Sequence, residues 1–300
     1  MTDFMIGGLT LYDIIWFFLI YSFLGWVLEV IYHAVSLGLV VNRGFLNGPV
    51  CPIYGFGMVI IILLLNTLFP EGAAGVHGGL LFLFGLVLAT AVELFGGWAL
   101  DRIFHARWWD YSDRPFNLNG YICPEFSLYW GLGTVVAVRI LHPFVEANTV
   151  DVWPERYGYP AAFLLMLIYA ADFAVTVMIV NGINRKLEEL DALRASMRIV
   201  SDDLSNALGT GSLKTVQRIE DGRVEAELAK EQLQEDTGDI RKRLEEKRAE
   251  IIGKEQALYD DLLKGRVFGA RRLLKAFPGM KVRDHSEVVS ALKDKLKIAG

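Results

Sequence analysis

The chain has 300 residues, 53% hydrophobic and 22% charged, with a formal net charge of −5. So small a net charge excludes bulk attraction to a polyanion such as nucleic acid, and two cysteines exclude a disulfide framework. The averages hide a division. Residues 1–182 carry six basic side chains and no Lys, whereas 183–300 carry 24 basic and 22 acidic ones. A bilayer core followed by an aqueous tail produces that split.

In chain order, five windows are apolar enough to cross about 30 Å of hydrocarbon, which takes about 20 helical residues. They cover 11–35, 50–69, 77–100, 124–146 and 157–181. The first lacks a basic leading segment and runs on past Glu29 and His33, unlike a cleavable signal. Five crossings place the 36–49 loop, the 101–123 loop and the tail on one side, with Arg43, Arg102, Arg107, Arg114, Arg185 and Lys186. Basic residues collect on the cytoplasmic side. A multi-pass protein of the cell membrane is therefore expected, with its N-terminus outside and its tail in the cytoplasm. Cys51 and Cys123 then lie at the reducing face.

A shift of 72 residues aligns the sequence with itself. Phe23, Gly25, Trp26, Leu28, Ile31 and His33 meet Phe95, Gly97, Trp98, Leu100, Ile103 and His105. Leu46, Asn47, Gly48, Cys51 and Pro52 meet Leu118, Asn119, Gly120, Cys123 and Pro124, and Glu29 meets Asp101. Each unit reads helix, loop, helix. An even number of crossings makes the copies parallel around a shared seam.

The strings RGFLNGPVCPIYGFG (43–57) and LFGGWALDRIFHARWWDYSDRPFNLNGYICPEFSLYWG (94–131) carry a resemblance. Over most of 14–145 the chain resembles the type IV ABC-transporter permease family, also called CmpB-like. The resemblance implies a permease-like membrane protein without naming a substrate, and makes a separate ATPase subunit a candidate partner.

Tyr21, Gly25, Glu29 and His33 follow one another at steps of four, as do Glu93, Gly97, Asp101 and His105. That spacing holds side chains on one helix face. Ionisable groups in a span face the bundle interior, because lipid exposure costs several kcal/mol. Cys51-Pro52 and Cys123-Pro124 open the second and fourth helices, with Asn47 and Asn119 placed to bond free backbone donors there. Three site readings stay open. The paired helix starts with Arg43, Arg107 and Arg114 suit an anion. Glu29, His33 and Cys51 with Asp101, His105 and Cys123 suit a metal, although the spacing matches no standard signature. Glu93 and Asp172, at similar depth, suit a proton or cation. The plain alternative makes the acid–His pairs helix-end contacts and the cysteines packing residues. Trp108, Trp109 and Tyr111 read as anchors at the membrane boundary, and Asp110, Asp113 and Arg114 as a lid.

In the tail, Leu187, Leu190, Met197, Val200 and Leu204 run at near-heptad spacing, and a break is expected at Gly209-Thr210-Gly211. Ile240, Leu244, Ile251 and Leu258 mark a second, imperfect stripe. Helices that bundle with each other or with a second copy fit this pattern. GTGSLKT (209–215) lacks the glycine before Lys214 that a phosphate loop requires, so the chain is expected not to hydrolyse ATP. Residues 264–300 hold ten basic and three acidic residues, with Arg266, Arg271, Arg272 and Lys275 alternating with Val267, Phe268, Leu273, Leu274 and Phe277. That segment suits an anionic membrane surface or a docking face.

These readings combine into an all-α polytopic membrane protein: about five transmembrane helices, a parallel two-helix tandem repeat, and a long coiled-coil-like cytoplasmic tail. Its divisions are 1–182 (repeats at about 11–69 and 83–146, fifth helix 157–181), 183–263 and 264–300. The expected function is a permease-like transport component with a polar, cytoplasm-facing site at the repeat interface. Candidate residues are Glu29, His33, Arg43, Asn47, Cys51, Glu93, Asp101, His105, Asn119, Cys123 and Asp172, with no resident metal or cofactor. Membrane lipids, a homo-oligomer through the tail and a separate ATPase are the expected partners. The alternatives are a membrane scaffold or sensor acting through the tail, and an enzyme acting on lipid head groups.

Overall fold

The computed structural model describes residues 5–38, 40–150, 153–219, 225–263, 268–277, 279–283 and 285–295. Strands β1 (Met5–Ile6) and β2 (Leu9–Thr10) form a small antiparallel hairpin. Thr10 then caps α1 (Leu11–Leu37): its hydroxyl accepts from the Asp13 N–H while the Asp13 carboxylate accepts from the Thr10 N–H. This reciprocal pair satisfies donors that the first turn leaves free. Helix α2 (Pro52–Leu68) and helix α5 (Pro124–Val136) both open on proline, whose missing N–H costs nothing in the first turn. Between them lie the corner helix α3 (Gly72–Gly75), α4 (Gly78–Phe104) and strand β3 (Ala106–Arg107). Beyond α5 the helix widens into a π turn (137–141), returns to α-helix as α6 (His142–Val145), and widens again at 146–150.

Helix α7 (Glu155–Ile219) is 65 residues long, roughly 100 Å at 1.5 Å per residue. Helix α8 (Glu225–Leu263) returns beside it, and the ion pairs Arg194–Glu255 (3.5 Å) and Lys186–Asp261 (3.8 Å) fix the antiparallel register. The break expected at Gly209-Thr210-Gly211 is absent, because α7 runs through it. Two glycines cost a long helix only about 1 kcal/mol each. The reversal falls between Ile219 and Glu225, outside the described residues, and nothing is described of the Leu204 side chain.

Among the described residues, four helices are long and apolar enough to cross a membrane: those at 11–36, 78–104, 124–148 and 155–203. The window expected at 50–69 forms α2, an apolar helix of 17 residues, shorter than those four. Consecutive helices pair, α1 with α2 and α4 with α5, and α2 joins the pairs by packing on α4.

The C-terminal segment folds back on the bundle. Helix α9 (Ala270–Ala276), strand β4 (Lys281–Val282) and α10 (Ser286–Lys295) follow α8, and β4 pairs antiparallel with β3. Leu273, Leu274, Met280, Val282, Val289 and Leu292 are buried together with Phe104, Trp108, Leu187, Leu190 and Leu262. A core away from the lipid-exposed helices therefore joins the end of α4 to the base of the α7–α8 hairpin. Leu273, Leu274 and Phe277 face protein, as a docking segment's would, whereas Phe268 is 71% exposed. Arg266 and Val267 lie outside the described residues.

Helix pairing depends on close approach at two glycines. A Cβ on Gly55 would lie 2.3 Å from the Ser22 hydroxyl and 2.6 Å from the Phe18 carbonyl oxygen; one on Gly85 would lie 2.3 Å from the Thr134 side chain. Small residues at such crossings let helices pack where lipid supplies no hydrophobic drive. Gly55→Val should force α1 from α2 and destabilise the purified protein by about 1–3 kcal/mol, read as a lowered midpoint of denaturant unfolding in micelles.

Candidate functional site

Four acids of the apolar helices are met by donors from a neighbouring segment. The Glu29 carboxylate accepts from the Tyr54 hydroxyl at 2.6 Å and pairs with Arg43 at 3.4 Å. Asp101, 1% exposed, accepts from the Tyr121 hydroxyl (2.5 Å) and faces Arg107 (3.2 Å) and Arg283 (3.0 Å). Asp172 gathers the backbone N–H groups of Asn47 (3.0 Å) and Gly48 (2.7 Å) and the Asn47 side-chain amide (2.9 Å). Glu93, 4% exposed, accepts from the Tyr111 hydroxyl at 3.0 Å and the Trp130 indole at 2.9 Å.

The loop between α4 and α5 supplies many of these donors because it folds inward. Trp108 is buried against Phe277, Trp109 donates to the Tyr121 carbonyl, and Tyr111 stacks on Phe126. These aromatics are core and donor residues, which corrects their reading as membrane-boundary anchors. Trp109 and Tyr111 meet acceptors in the Tyr121 carbonyl and the Glu93 carboxylate, whereas the buried Trp108 indole N–H has no hydrogen-bond partner among the described residues.

The structure separates the expected sets. Glu93 and Asp172 share no partner, each being satisfied by a different segment. His105 takes a left-handed conformation (φ 53°) that caps α4; it is exposed, and its carbonyl accepts from the Arg283 N–H. It therefore does not follow Asp101 inward, because the helix ends before its side chain can. His33 is buried, and among the described residues neither ring nitrogen has a hydrogen-bond partner. Cys51 and Cys123 are buried free thiols. Neither of the helices they precede has a side-chain cap, and Asn47 is turned toward Asp172 instead. Asn119 is exposed at φ 50°, its carbonyl accepting from Arg107. Among the described residues no group of three or more His, Cys, Asp or Glu could hold a metal ion. Arg114 pairs with Glu125 at the surface.

A cavity of about 470 Å³ lies between the two helix pairs. Tyr21, Gly25 and Leu28 of α1, Ile53, Tyr54 and Gly57 of α2, Ala89, Val92 and Glu93 of α4, and Trp130 and Thr134 of α5 all contribute to its wall. Glu93 is the single ionisable acid on that wall, which is otherwise almost wholly apolar. Sequence reasoning found Glu93 but missed Tyr111, Trp130 and Tyr54, whose roles depend on how loop and helix meet. Trp130 and Tyr54 touch edge to face across the seam, their centroids 5.5 Å apart.

The C-terminal segment grips both loops on its side of the bundle. Arg43 donates to the Ala276 carbonyl (2.5 Å) and lies over the Phe277 ring; Arg272 donates to the Gly44 carbonyl (2.9 Å). Lys281 pairs with Asp110 at 2.6 Å. The next residue, Tyr111, is the donor to Glu93.

Residues 16–177 match the family described as Putative ABC-transporter type IV, more than half of the chain, and the chain belongs to that family. It is thus a membrane protein of a transporter family, as its four long apolar helices also require. Comparison with curated proteins and with solved structures returns no match.

Two outcomes follow from the pairings. Asp172→Ala strands two backbone N–H groups and an amide, and should cost about 1–3 kcal/mol of stability, with Asp172→Asn costing less; a thermal melt in micelles separates them. For Asp110, burial raises the carboxyl's pKa, but hydrogen bonds from Lys281 and Ser112 outweigh it and hold the group below the usual carboxylate range. A depressed folded value stabilises docking above the unfolded value of about 3.9 and loses that contribution as pH falls through the folded one. Trp108 emission should therefore shift to the red on acidification in the wild type, and Asp110→Asn should lack that part of the acid limb.

Proposed function

We propose that this chain is the membrane-embedded component of a transport system, taking an amphiphile at the cavity between its helix pairs. The observation that carries this is the cavity itself: four helices contribute to one apolar wall carrying one acid. An apolar wall favours an apolar body, and a lone carboxylate favours a cationic or donor head group. A carboxylate offers about four lone-pair sites, and Tyr111 and Trp130 occupy two. The wall differs from the polar, cytosol-facing site expected from sequence, since the other acids are spent on protein donors. Leu28, Ile31 and Val136 line the cavity and are also exposed, so entry from the bilayer is the route we favour.

The topology we propose has five crossings, with α2 as the short one. Its support is the C-terminal segment, which touches the loop after α1 and the loop after α4. Those loops and the tail thus share one face, so α2 must run back through the bundle. The basic residues on that face make it cytoplasmic. The 72-residue repeat relates α1–α2 to α4–α5 about the cavity. A separate chain supplies ATP hydrolysis, because the family is that of ABC transporters and this sequence lacks a phosphate loop. The tail stripe at Leu187 and Leu190 is covered by the same chain, so a homo-oligomer would form through the remainder of the hairpin. We favour transport over the lipid-enzyme reading, because His105 is exposed and His33 has no hydrogen-bond partner among the described residues.

A brominated long-chain alkylamine, titrated into the purified full-length protein, should quench tryptophan emission saturably through Trp130. Trp130→Phe should remove that component, and Glu93→Gln should weaken the apparent affinity about tenfold, or ~1.4 kcal/mol. Equal quenching of wild type and Glu93→Gln, or none that saturates, would overturn the reading.

A further inference from the structure

The end of the cavity away from the tail carries a second buried titratable cluster that the cargo site does not use. His142 is 5% exposed and Tyr21 2%. The Tyr21 hydroxyl lies 2.9 Å from His142 Nδ1, and His142 Nε2 lies 3.5 Å from the Glu146 carboxylate. The Glu146 side chain is 46% exposed, at the face opposite the tail. Tyr21 belongs to the cavity wall, as does Glu93, and the two are equivalent positions of the 72-residue repeat. Phe17 packs edge-on against the imidazole, with centroids 4.9 Å apart, and Arg139 is turned to the Val76 carbonyl. Tyr21 and Glu146 are thus polar groups in contact with the ring, one at each nitrogen.

The backbone explains why the histidine can sit there. Pro143 has no N–H to give the carbonyl four residues earlier, so the α-helical ladder is interrupted. The chain takes up the interruption as π turns at 137–141 and 146–150. Such widened turns reorient side chains and recur at functional sites. A buried imidazole with a partner on each nitrogen is poised to accept a proton on one and release it from the other.

We propose that Glu146, His142 and Tyr21 form a proton relay from the aqueous face to the cavity, ending on Glu93. This rests on the reading of Glu93 as the cavity acid. Protonated Glu146 gives its proton to Nε2 of His142. Nδ1–H passes its proton to the Tyr21 oxygen, and the Tyr21 hydroxyl proton moves to Glu93 through water or a cargo amine in the cavity. Each transfer breaks one O–H or N–H bond and forms another, no electrons change hands, and one proton moves in total. On the far side the Glu93 partner is Tyr111, next to the Asp110–Lys281 pair at the tail face. Titratable groups outside the cavity thus reach its wall through Tyr21 and through Glu93.

The test uses the full-length protein in liposomes loaded with a pH-reporting dye, under an imposed pH gradient clamped with potassium and valinomycin. Flux is measured with and without the alkylamine. The wild type should dissipate the gradient at least about tenfold faster than protein-free vesicles in one of the two conditions. Tyr21→Phe, which removes one oxygen, and His142→Gln should fall to the protein-free rate, with folding checked by gel filtration and circular dichroism. A wild-type rate equal to that of empty vesicles in both conditions, or unimpaired flux in Tyr21→Phe, overturns the relay. Alkylamine quenching of the same proteins separates the two ideas. Fast wild-type flux without quenching removes the amphiphile reading and leaves the relay standing, whereas quenching without flux does the reverse.

Discussion

An ionised carboxylate drawn out of water must be given donors, and in this chain that requirement shapes the loops as much as the helices. Glu29, Glu93, Asp101 and Asp172 are each met by tyrosine, tryptophan, arginine or backbone N–H groups from another segment. The cost of leaving such groups unpaired is several kcal/mol each, enough to pull the loops on the tail side inward. The 105–123 loop turns its aromatics into the bundle, and the loop after α1 fastens to α7 through Asp172. What looks like connecting chain is a set of donors for buried charge.

The same economy explains why the cavity is apolar. Three of the four acids are consumed at the tail side of the bundle, leaving Glu93 to face the space between the helix pairs. Tyr21, 72 residues before Glu93 in the sequence, also lies on the cavity wall and turns to His142.

The C-terminal segment adds a mechanical link. By pairing β4 with β3 and Lys281 with Asp110, it holds the segment whose next residue is Tyr111.

The membrane class, the four longest apolar helices and the starts of α2 and α5 at their prolines were legible in the sequence, as was an acid, Glu93, inside an apolar helix. Each rests on a local property: apolar length, a missing N–H, or a charge where hydrocarbon is expected. The self-alignment was legible for the same reason, being a comparison of residues in order. What only the tertiary structure decided is which partner each polar group takes. His105 follows Asp101 at helical spacing yet points to solvent, because the helix stops in a left-handed cap beneath it. Asn47 turns to Asp172, Trp108 is core, and the basic C-terminal segment covers two loops, all through contacts with residues from about 100 to more than 200 positions away. Periodicity carries no information about contacts at that separation. His142 was invisible for the same reason: its role is defined by Tyr21, 121 residues earlier, and only the packed helices bring them together.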